Sequence, residues 1–402
     1  MKRLLMLTCA VCALVYVPAR AEDTPKGAPD AVPVNTDAAF EKIRACSALK
    51  DPDAYETMKM DSYEALVAGK NGWVFRTNSD FKIDFAFDKK IIKKLVLLQK
   101  MLAEKGTTLY IAYLPNRGAL ASDNVMMDDP LADTYDPQLA RAAYANSIGV
   151  LRKAGLRMIT MDHAIAPELF YRKTDQHWNA NGAREFAKIV AATLKKDAAY
   201  AAIPKIQYET VSKGDYYLDG RFGEALLKMC DITLAKEKDE EFVTSVSGKA
   251  NGEAALFGDA VLPQIALVGT SYSRSLDFDT NFQGFLKESL QADVFDAAIS
   301  GGGIDDPIIA YLNSSDFKNA PPKILVWEIP GHYVLTSEGG RFLNEVLPTV
   351  LGECTDPIIQ FNDIVMGSSG KLPLATDLSG LKIQGDGYYL HMRFDHPVEK
   401  KV

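Results

Sequence analysis

Short, continuous apolar runs alternate with amphipathic stretches along most of this 402-residue chain. The clearest amphipathic stretch opens at Asp88, a capping residue, and runs through Ile91, Ile92, Leu95, Leu98 and Leu102 to a stop at Gly106. Apolar positions three and four apart share one helical face, so this is a helix. The run LYIAYLP follows as a strand, then a helix over about 137–155, then a second strand in RMITMD. From Ala180 onward, Phe186, Ile189, Val190 and Leu194 again fall on one helical face, with Asn179 or Asn181 as its cap. Further along come QIALVG, a helix near 280–290, and the apolar runs DVFDAAIS, PIIAYLN and KILVWEI. Uninterrupted apolar runs separated by helices imply a parallel sheet covered on both faces, an α/β fold. Residues 200–260 lack the pattern and read as an irregular insertion. From about Gly352 the pattern changes. Leu390, Met392 and Phe394 alternate with His391, Arg393 and Asp395, and GDG can turn a hairpin, so 352–402 reads as a short β-rich segment.

The first residues carry a different signal. Lys2 and Arg3 precede an apolar run from Leu4 to Val17, and Ala19-Arg20-Ala21 is a small-x-small cleavage sequence. Residues 1–21 therefore read as a secretory signal peptide, and no other segment reads as membrane-spanning. A lipoprotein anchor is the weaker alternative, because neither Cys9 nor Cys12 follows a Gly, Ala or Ser. The stretch with Pro25, Pro29 and Pro33 reads as a flexible lead-in over 22–45, which leaves 46–351 as the main folded domain. Taking Lys2, Arg3 and Arg20 from 45 basic side chains, against 53 acidic ones, moves the net charge from −8 to −11. That balance disfavours nucleic acid as a partner, and a polyanionic substrate would need a local basic surface. Three cysteines outlast the leader: Cys46, Cys230 and Cys354. In an oxidising compartment at least two should pair, with Cys46–Cys230 favoured and Cys354 left over.

In parallel sheets, ligands bind beyond the carboxyl ends of the strands. That gathers PNRG, GTSYS, the glycines 301–303 and EIPGHY at one edge, and the turn KTDQHWN can fold back over it. In IALVGTSYS a buried strand runs into Gly-Thr-Ser, which sets the Ser271 hydroxyl on a sharp turn; a following helix would offer backbone N–H groups to a developing oxyanion. Serine needs a base, and the chain has five histidines: His163, His177, His332, His391 and His396. His177 has Asp175 two residues away, and a carboxylate so placed fixes the tautomer and stabilises the imidazolium. His332, also at a strand end, is the rival base. Each string also has a plain structural reading, as a solvated surface turn for DQH and as a capped strand–turn–helix connection for GTSYS. Arg117, Tyr272, Arg274 and Trp327 sit in strand-end loops, where they can line a substrate site or serve the fold. There is no Cys-x-x-Cys or His-x₃-His pair, no Walker motif, and GGGIDD lacks dinucleotide-binding spacing, so no metal and no cofactor is expected.

Four strings taken together, GKNGWVFRTNSDF, IAYLPNRG, LFYRKTDQHWNANGA and LVGTSYS, resemble the periplasmic alginate O-acetyltransferases of the AlgX and AlgJ type, over roughly residues 46–335. CSALKDPDAY near Cys46 is similar to the start of that family's folded region. The resemblance implies an SGNH hydrolase-like α/β/α sandwich of permuted order, with Ser271 as nucleophile, His177 as base and Asp175 as the orienting acid. It also implies a Cys46–Cys230 disulfide. Residues 352–402 resemble only the first strands of the carbohydrate-binding module that AlgX carries. The implied activity is periplasmic acetyl transfer through an acetyl-serine onto hydroxyls of an exopolysaccharide. The implied partners are a membrane-bound acyltransferase as acetyl donor and other proteins of a secretion complex. An acetylesterase shares the same three residues, and a non-catalytic polysaccharide-binding scaffold is the reading from another class.

Overall fold

In the computed structural model, residues 37–63, 65–161, 164–247, 262–275, 280–333 and 342–352 are described. They contain nine strands: β1 (Leu66–Ala68), β2 (Val74–Arg76), β3 (Thr108–Tyr113), β4 (Met158–Ile159), β5 (Tyr208–Leu218), β6 (Glu237–Val246), β7 (Ile265–Val268), β8 (Phe295–Asp296) and β9 (Ile324–Ile329). Five of them form one sheet in the order β4-β3-β9-β7-β8, and every neighbouring pair is parallel. The chain steps outward from β3 to β4, crosses to β7, steps outward again to β8 and returns to the centre at β9. Such a reversal of direction opens a crevice at the carboxyl ends of the central strands.

The uninterrupted apolar runs have the expected cause. Successive side chains of a strand point to opposite faces, and here both faces are dry. On one face Tyr110, Ala112, Leu267 and Val326 pack with Phe186 and Val190 of the Ala180–Leu194 helix and with Phe282 and Phe285 of the Phe282–Leu290 helix. On the other, Leu109, Ile111, Val268 and Trp327 pack with Ile91, Leu95, Leu98 and Leu102 of the Lys89–Glu104 helix. Asp88 caps that helix, accepting the N–H groups of Lys90 and Ile91 at 2.7 and 2.8 Å. The domain is therefore an α/β sandwich, a parallel sheet covered on both faces, with additional antiparallel strands.

Three expectations change. PIIAYLN is not a strand but the heart of a helix, Asp306–Asn313, with Pro307 in its first turn and Ile308 and Leu312 on its buried side. Residues 200–260 are not irregular throughout. β5 and β6 pair over ten register positions as an antiparallel ribbon, and the Arg221–Cys230 helix fills the connection between them. The Asp37–Ala45 stretch, placed in the lead-in, is helical and buries Phe40 and Ile43 against Leu49, Phe222 and Leu226. A disulfide joins Cys46 to Cys230 at a Cα separation of 6.0 Å, fixing this N-terminal layer to the end of the inserted helix. No helix among the described residues is long and apolar enough to cross a membrane. Residues 1–36 and 353–402, with Cys354, His391 and His396, lie outside the described residues, as do Asp162 and His163.

Candidate active site

Ser271 lies three residues beyond β7. Its hydroxyl oxygen is 2.8 Å from Nε2 of His177, and Nδ1 of the same ring is 2.6 Å from Oδ1 of Asp175. With Nδ1 facing a carboxylate, the proton is assigned there, and Nε2 is left to accept from the serine. Both oxygens of Asp175 are engaged: Oδ1 also accepts the N–H of His177 at 2.8 Å, and Oδ2 accepts that of Arg221 at 3.0 Å. Burial pushes the Asp175 carboxyl up, but His177, Arg172 and the backbone N–H outweigh it and hold the group well below the usual carboxylate range. An anion fixed at that point stabilises an imidazolium, so the line Asp175–His177–Ser271 can take a proton from the serine hydroxyl and return it.

The local sequence explains why the turn stands where it does. Tyr171 and Trp178 form an antiparallel bridge, and Arg172 N–H donates to the His177 carbonyl at 3.1 Å. Asp175 and His177 thus occupy the tip of a loop with a closed base. Asn179 caps the helix that follows by accepting the Gly182 N–H at 2.8 Å. A Cβ at Gly182 would lie 2.1 Å from the Phe170 carbonyl oxygen, so only glycine lets the helix start against that base.

The insertion braces the same loop. At the start of β6, Glu237 accepts the N–H groups of Lys173 and Thr174 at 2.8 and 2.6 Å. Two residues on, Asp239 accepts Nη2 of the buried Arg172 at 2.7 Å and the Ala180 N–H at 3.2 Å. Phe222 N–H donates to the Thr174 carbonyl at 3.0 Å, and a Cβ on Gly220 would overlap Thr174. A stretch with no legible sequence pattern therefore holds the Asp-His turn in place.

The serine side is held from beneath. Glu328 on β9 is fully buried, and its Oε2 accepts the Thr270 N–H at 2.8 Å, Ser273 Oγ at 3.0 Å and Thr270 Oγ1 at 3.1 Å. Gly269 makes room for it, since a Cβ there would lie 2.6 Å from Oε2. Burial pushes the Glu328 carboxyl up to about 7, against the pull of those donors and of the Ser273 backbone N–H. The two halves of the site are also tied to each other. Trp178 Nε1 donates to the Tyr272 carbonyl at 2.7 Å, and the Tyr272 hydroxyl donates to the Gln176 carbonyl at 2.5 Å.

The other expected site residues part company. Tyr272 does sit at the site, with its ring centroid 4.9 Å from that of His177. Arg117 does not line an accessible loop surface. It is buried, gives Nη1 to Val74 O and Asp80 and Nη2 to the carbonyls of Arg172 and Lys173, and lies 4.7 Å from the Trp73 ring. It is an internal strut that ties β2 to the Asp175 loop. Trp327 is likewise interior, fully buried in the sheet, with its indole N–H on the Ile304 carbonyl at 3.0 Å. Strand parity is the reason: Trp327 points to the helix layer, and its neighbour Glu328 points to the serine turn. Arg274 is exposed and lines an open cleft of about 540 Å³ with Ser273, Lys287 and Asp293, a lining that does not include Ser271 or His177. The place beside the Ser271 hydroxyl belongs to His177; His332 lies 3.5 Å from the Tyr272 hydroxyl, and burial holds its imidazole well below the usual range. No helix follows Ser271 directly: residues 271–273 form a turn, and among the described residues the next helix starts at Phe282. In the 301–303 loop the Gly302 N–H is spent on Ile299 O at 3.3 Å, while Ile299 N–H holds the loop to the Gly269 carbonyl at 3.1 Å.

A parallel sheet with a serine, a histidine and an aspartate joined at its carboxyl edge is the plan of an SGNH hydrolase-like domain. Residues 66–331 match the family model described as "SGNH hydrolase-like domain, acetyltransferase AlgX". The alginate biosynthesis protein AlgX of Pseudomonas aeruginosa is 32% identical over 355 residues, covering 88% of this chain and 73% of that protein. A solved structure of Pseudomonas aeruginosa AlgX superposes with a TM-score of 0.64 at 33% identity, over 77% of this chain and 72% of that one. The probable alginate O-acetylase AlgJ of the same organism is 29% identical over 295 residues, covering 69% of this chain and 72% of that protein. The chain belongs to the AlgX/AlgJ family.

Proposed function

We propose that this protein is an O-acetyltransferase that acts outside the cytoplasm on a polysaccharide, alginate being the polymer its relatives' names point to. The observation that carries the reading is the 2.8 Å contact between His177 Nε2 and Ser271 Oγ, with Asp175 fixed behind the ring. His177 takes the hydroxyl proton as Ser271 Oγ attacks the acetyl carbonyl of a donor ester. The tetrahedral oxyanion collapses, the bond to the donor oxygen breaks, and the leaving alkoxide takes the proton from His177. A sugar hydroxyl then gives its proton to the same nitrogen, attacks the acetyl-serine and leaves as the ester, and Ser271 recovers its proton.

Export is supported by the leader-like residues 1–21. Outside the cytoplasm there is no supply of acetyl-CoA, so the donor is an acetyl group handed over by a membrane-bound acyltransferase. Alginate is a polyanion, so a protein of net charge −8 would need local basic side chains to hold it. The reading is tested by acetyl-ester turnover with and without a mannuronate oligosaccharide, followed by mass spectrometry of the sugar. Acetylated oligosaccharide supports transfer. Free acetate alone, at a rate the sugar does not change, marks an esterase.

A further inference from the structure

We propose that Glu328 is a positioning residue for Ser271, a role that rests on the reading of Ser271 as nucleophile. A carboxylate in the middle of the apolar run ILVWEI, fully buried at the centre of a sheet, costs folding energy unless something is gained from it. Its contacts show where the gain lies. A single oxygen, Oε2, gathers three donors from residues on either side of the serine: Thr270 N–H, Thr270 Oγ1–H and Ser273 Oγ–H, at 2.8, 3.1 and 3.0 Å. The other oxygen also accepts from Thr270 Oγ1, at 3.4 Å. Thr270 Oγ1 in turn accepts the Tyr272 N–H at 3.2 Å. The residue before Ser271 and the two after it are therefore all fixed, directly or through Thr270, to one atom on the neighbouring strand.

The same arrangement leaves Ser271 as the member of the turn that Glu328 does not engage. Thr270 N–H and Oγ1 and Ser273 Oγ are committed downward into the protein, and the Ser271 hydroxyl faces His177 at 2.8 Å. Gly269 belongs to the device, because any side chain there would strike Glu328 Oε2 or Ser273 Oγ, both 2.6 Å from its Cβ position. Glu328 touches neither substrate nor the reacting atoms. It acts through the geometry of the turn, and an ångström of freedom at a nucleophile costs up to about a hundredfold in rate.

Three variants test this, each measured for kcat and KM on 4-nitrophenyl acetate, for the rate at which phenylmethylsulfonyl fluoride labels Ser271, and for melting temperature. Glu328→Asp withdraws the oxygen by one methylene and should lower kcat and the labelling rate about 30-fold, with KM within about twofold. The double variant Thr270→Val with Ser273→Ala removes two donors without touching the acid, and should lower both rates about tenfold; it decides the matter if Glu328→Asp does not fold. Glu328→Gln keeps one acceptor oxygen and should recover all but about threefold of both rates. Rates within threefold of wild type in the Asp and double variants overturn the inference, as does a loss confined to KM or a Gln variant no better than Asp. Ser271→Ala, run alongside, separates the two levels. If it abolishes turnover and labelling while the Glu328 variants do nothing, only the positioning role falls; if it leaves both intact, the nucleophile reading falls and takes this inference with it.

Discussion

Trp178 and Tyr272 come from turns 94 residues apart, and the indole N–H of one donates to the main-chain carbonyl of the other at 2.7 Å. Each is the immediate neighbour of a residue that the proposed mechanism makes reactive, Trp178 of His177 and Tyr272 of Ser271. The distance between base and nucleophile is thus set by a bond between their neighbours, reinforced by the Tyr272 hydroxyl on Gln176. Trp178→Phe keeps the buried ring but leaves the Tyr272 carbonyl without its donor. It should cost about 1–3 kcal/mol of stability, read by urea unfolding. Ester turnover should fall about tenfold with KM little changed, because the lost contact sets an alignment rather than a binding surface.

Glu328 gives the protein a pH dependence with a definite sign. Its carboxyl titrates near 4.5 in the unfolded chain and at about 7 in the fold. Between those values the native state holds a proton that the unfolded state has released, so this group's contribution to stability is lost as pH rises from about 4.5 to 7. His332, which desolvation holds below its usual range, acts in the opposite direction, so the informative quantity is the difference between wild type and Glu328→Gln. That difference should shift toward the Gln variant by about 3 kcal/mol across the window. Unfolding measured at pH 4.5, 6 and 8 checks it; a difference independent of pH would contradict the account.

Asp175 behaves in the reverse sense. Its folded-state carboxyl lies below the ordinary range, so the stability it contributes is present at neutral pH and lost as the solution is acidified through and below the ordinary carboxylate range. Asp175→Asn should flatten the acid limb of the melting-temperature profile. It should also lower ester turnover less than Ser271→Ala does, since Asp175 orients and stabilises rather than reacts.

The Cys46–Cys230 bond closes a loop of 184 residues and anchors the helix whose first N–H bonds Asp175. The chain-entropy relation assigns such a loop about 5 kcal/mol. Reduction should lower stability by a large part of that amount and loosen the Arg221–Cys230 helix. Non-reducing peptide maps should recover the two cysteines as one cross-linked pair, and both thiols found free in the protein isolated without reductant would contradict this.

Much of this architecture was legible because its signals are local. The Asp88 cap and the 3.6-residue apolar period define the Lys89–Glu104 helix, and continuous apolar runs define β3, β7 and β9. Asp175, His177 and Ser271 stood out as polar residues at element ends. PIIAYLN misled because a short apolar run suits a helix and a strand equally, and its Asp-Pro start was the overlooked helix signal. Trp327 and Glu328 were confounded by parity, since one step along a strand exchanges the two faces of the sheet. An acid inside an apolar strand was the available clue to Glu328. The β5–β6 ribbon gave no clue, because its strands are largely exposed and rich in charge, and what they do depends on distant partners such as Arg172 and Thr174.

The central claim is that Ser271 carries the acetyl group. The most direct measurement is rapid acid quenching of the enzyme with 4-nitrophenyl acetate, followed by peptide mass spectrometry. Wild type should gain one acetyl group on the peptide containing Ser271, and a mannuronate oligosaccharide added before the quench should discharge it into the sugar. Ser271→Ala should gain no acetyl group there, and its turnover should fall by several orders of magnitude, short of the roughly million-fold loss seen when a serine protease loses its nucleophile, because an activated ester needs less help. Undiminished turnover in Ser271→Ala, or an acetyl group mapped to another residue that still passes to the sugar, would contradict the account.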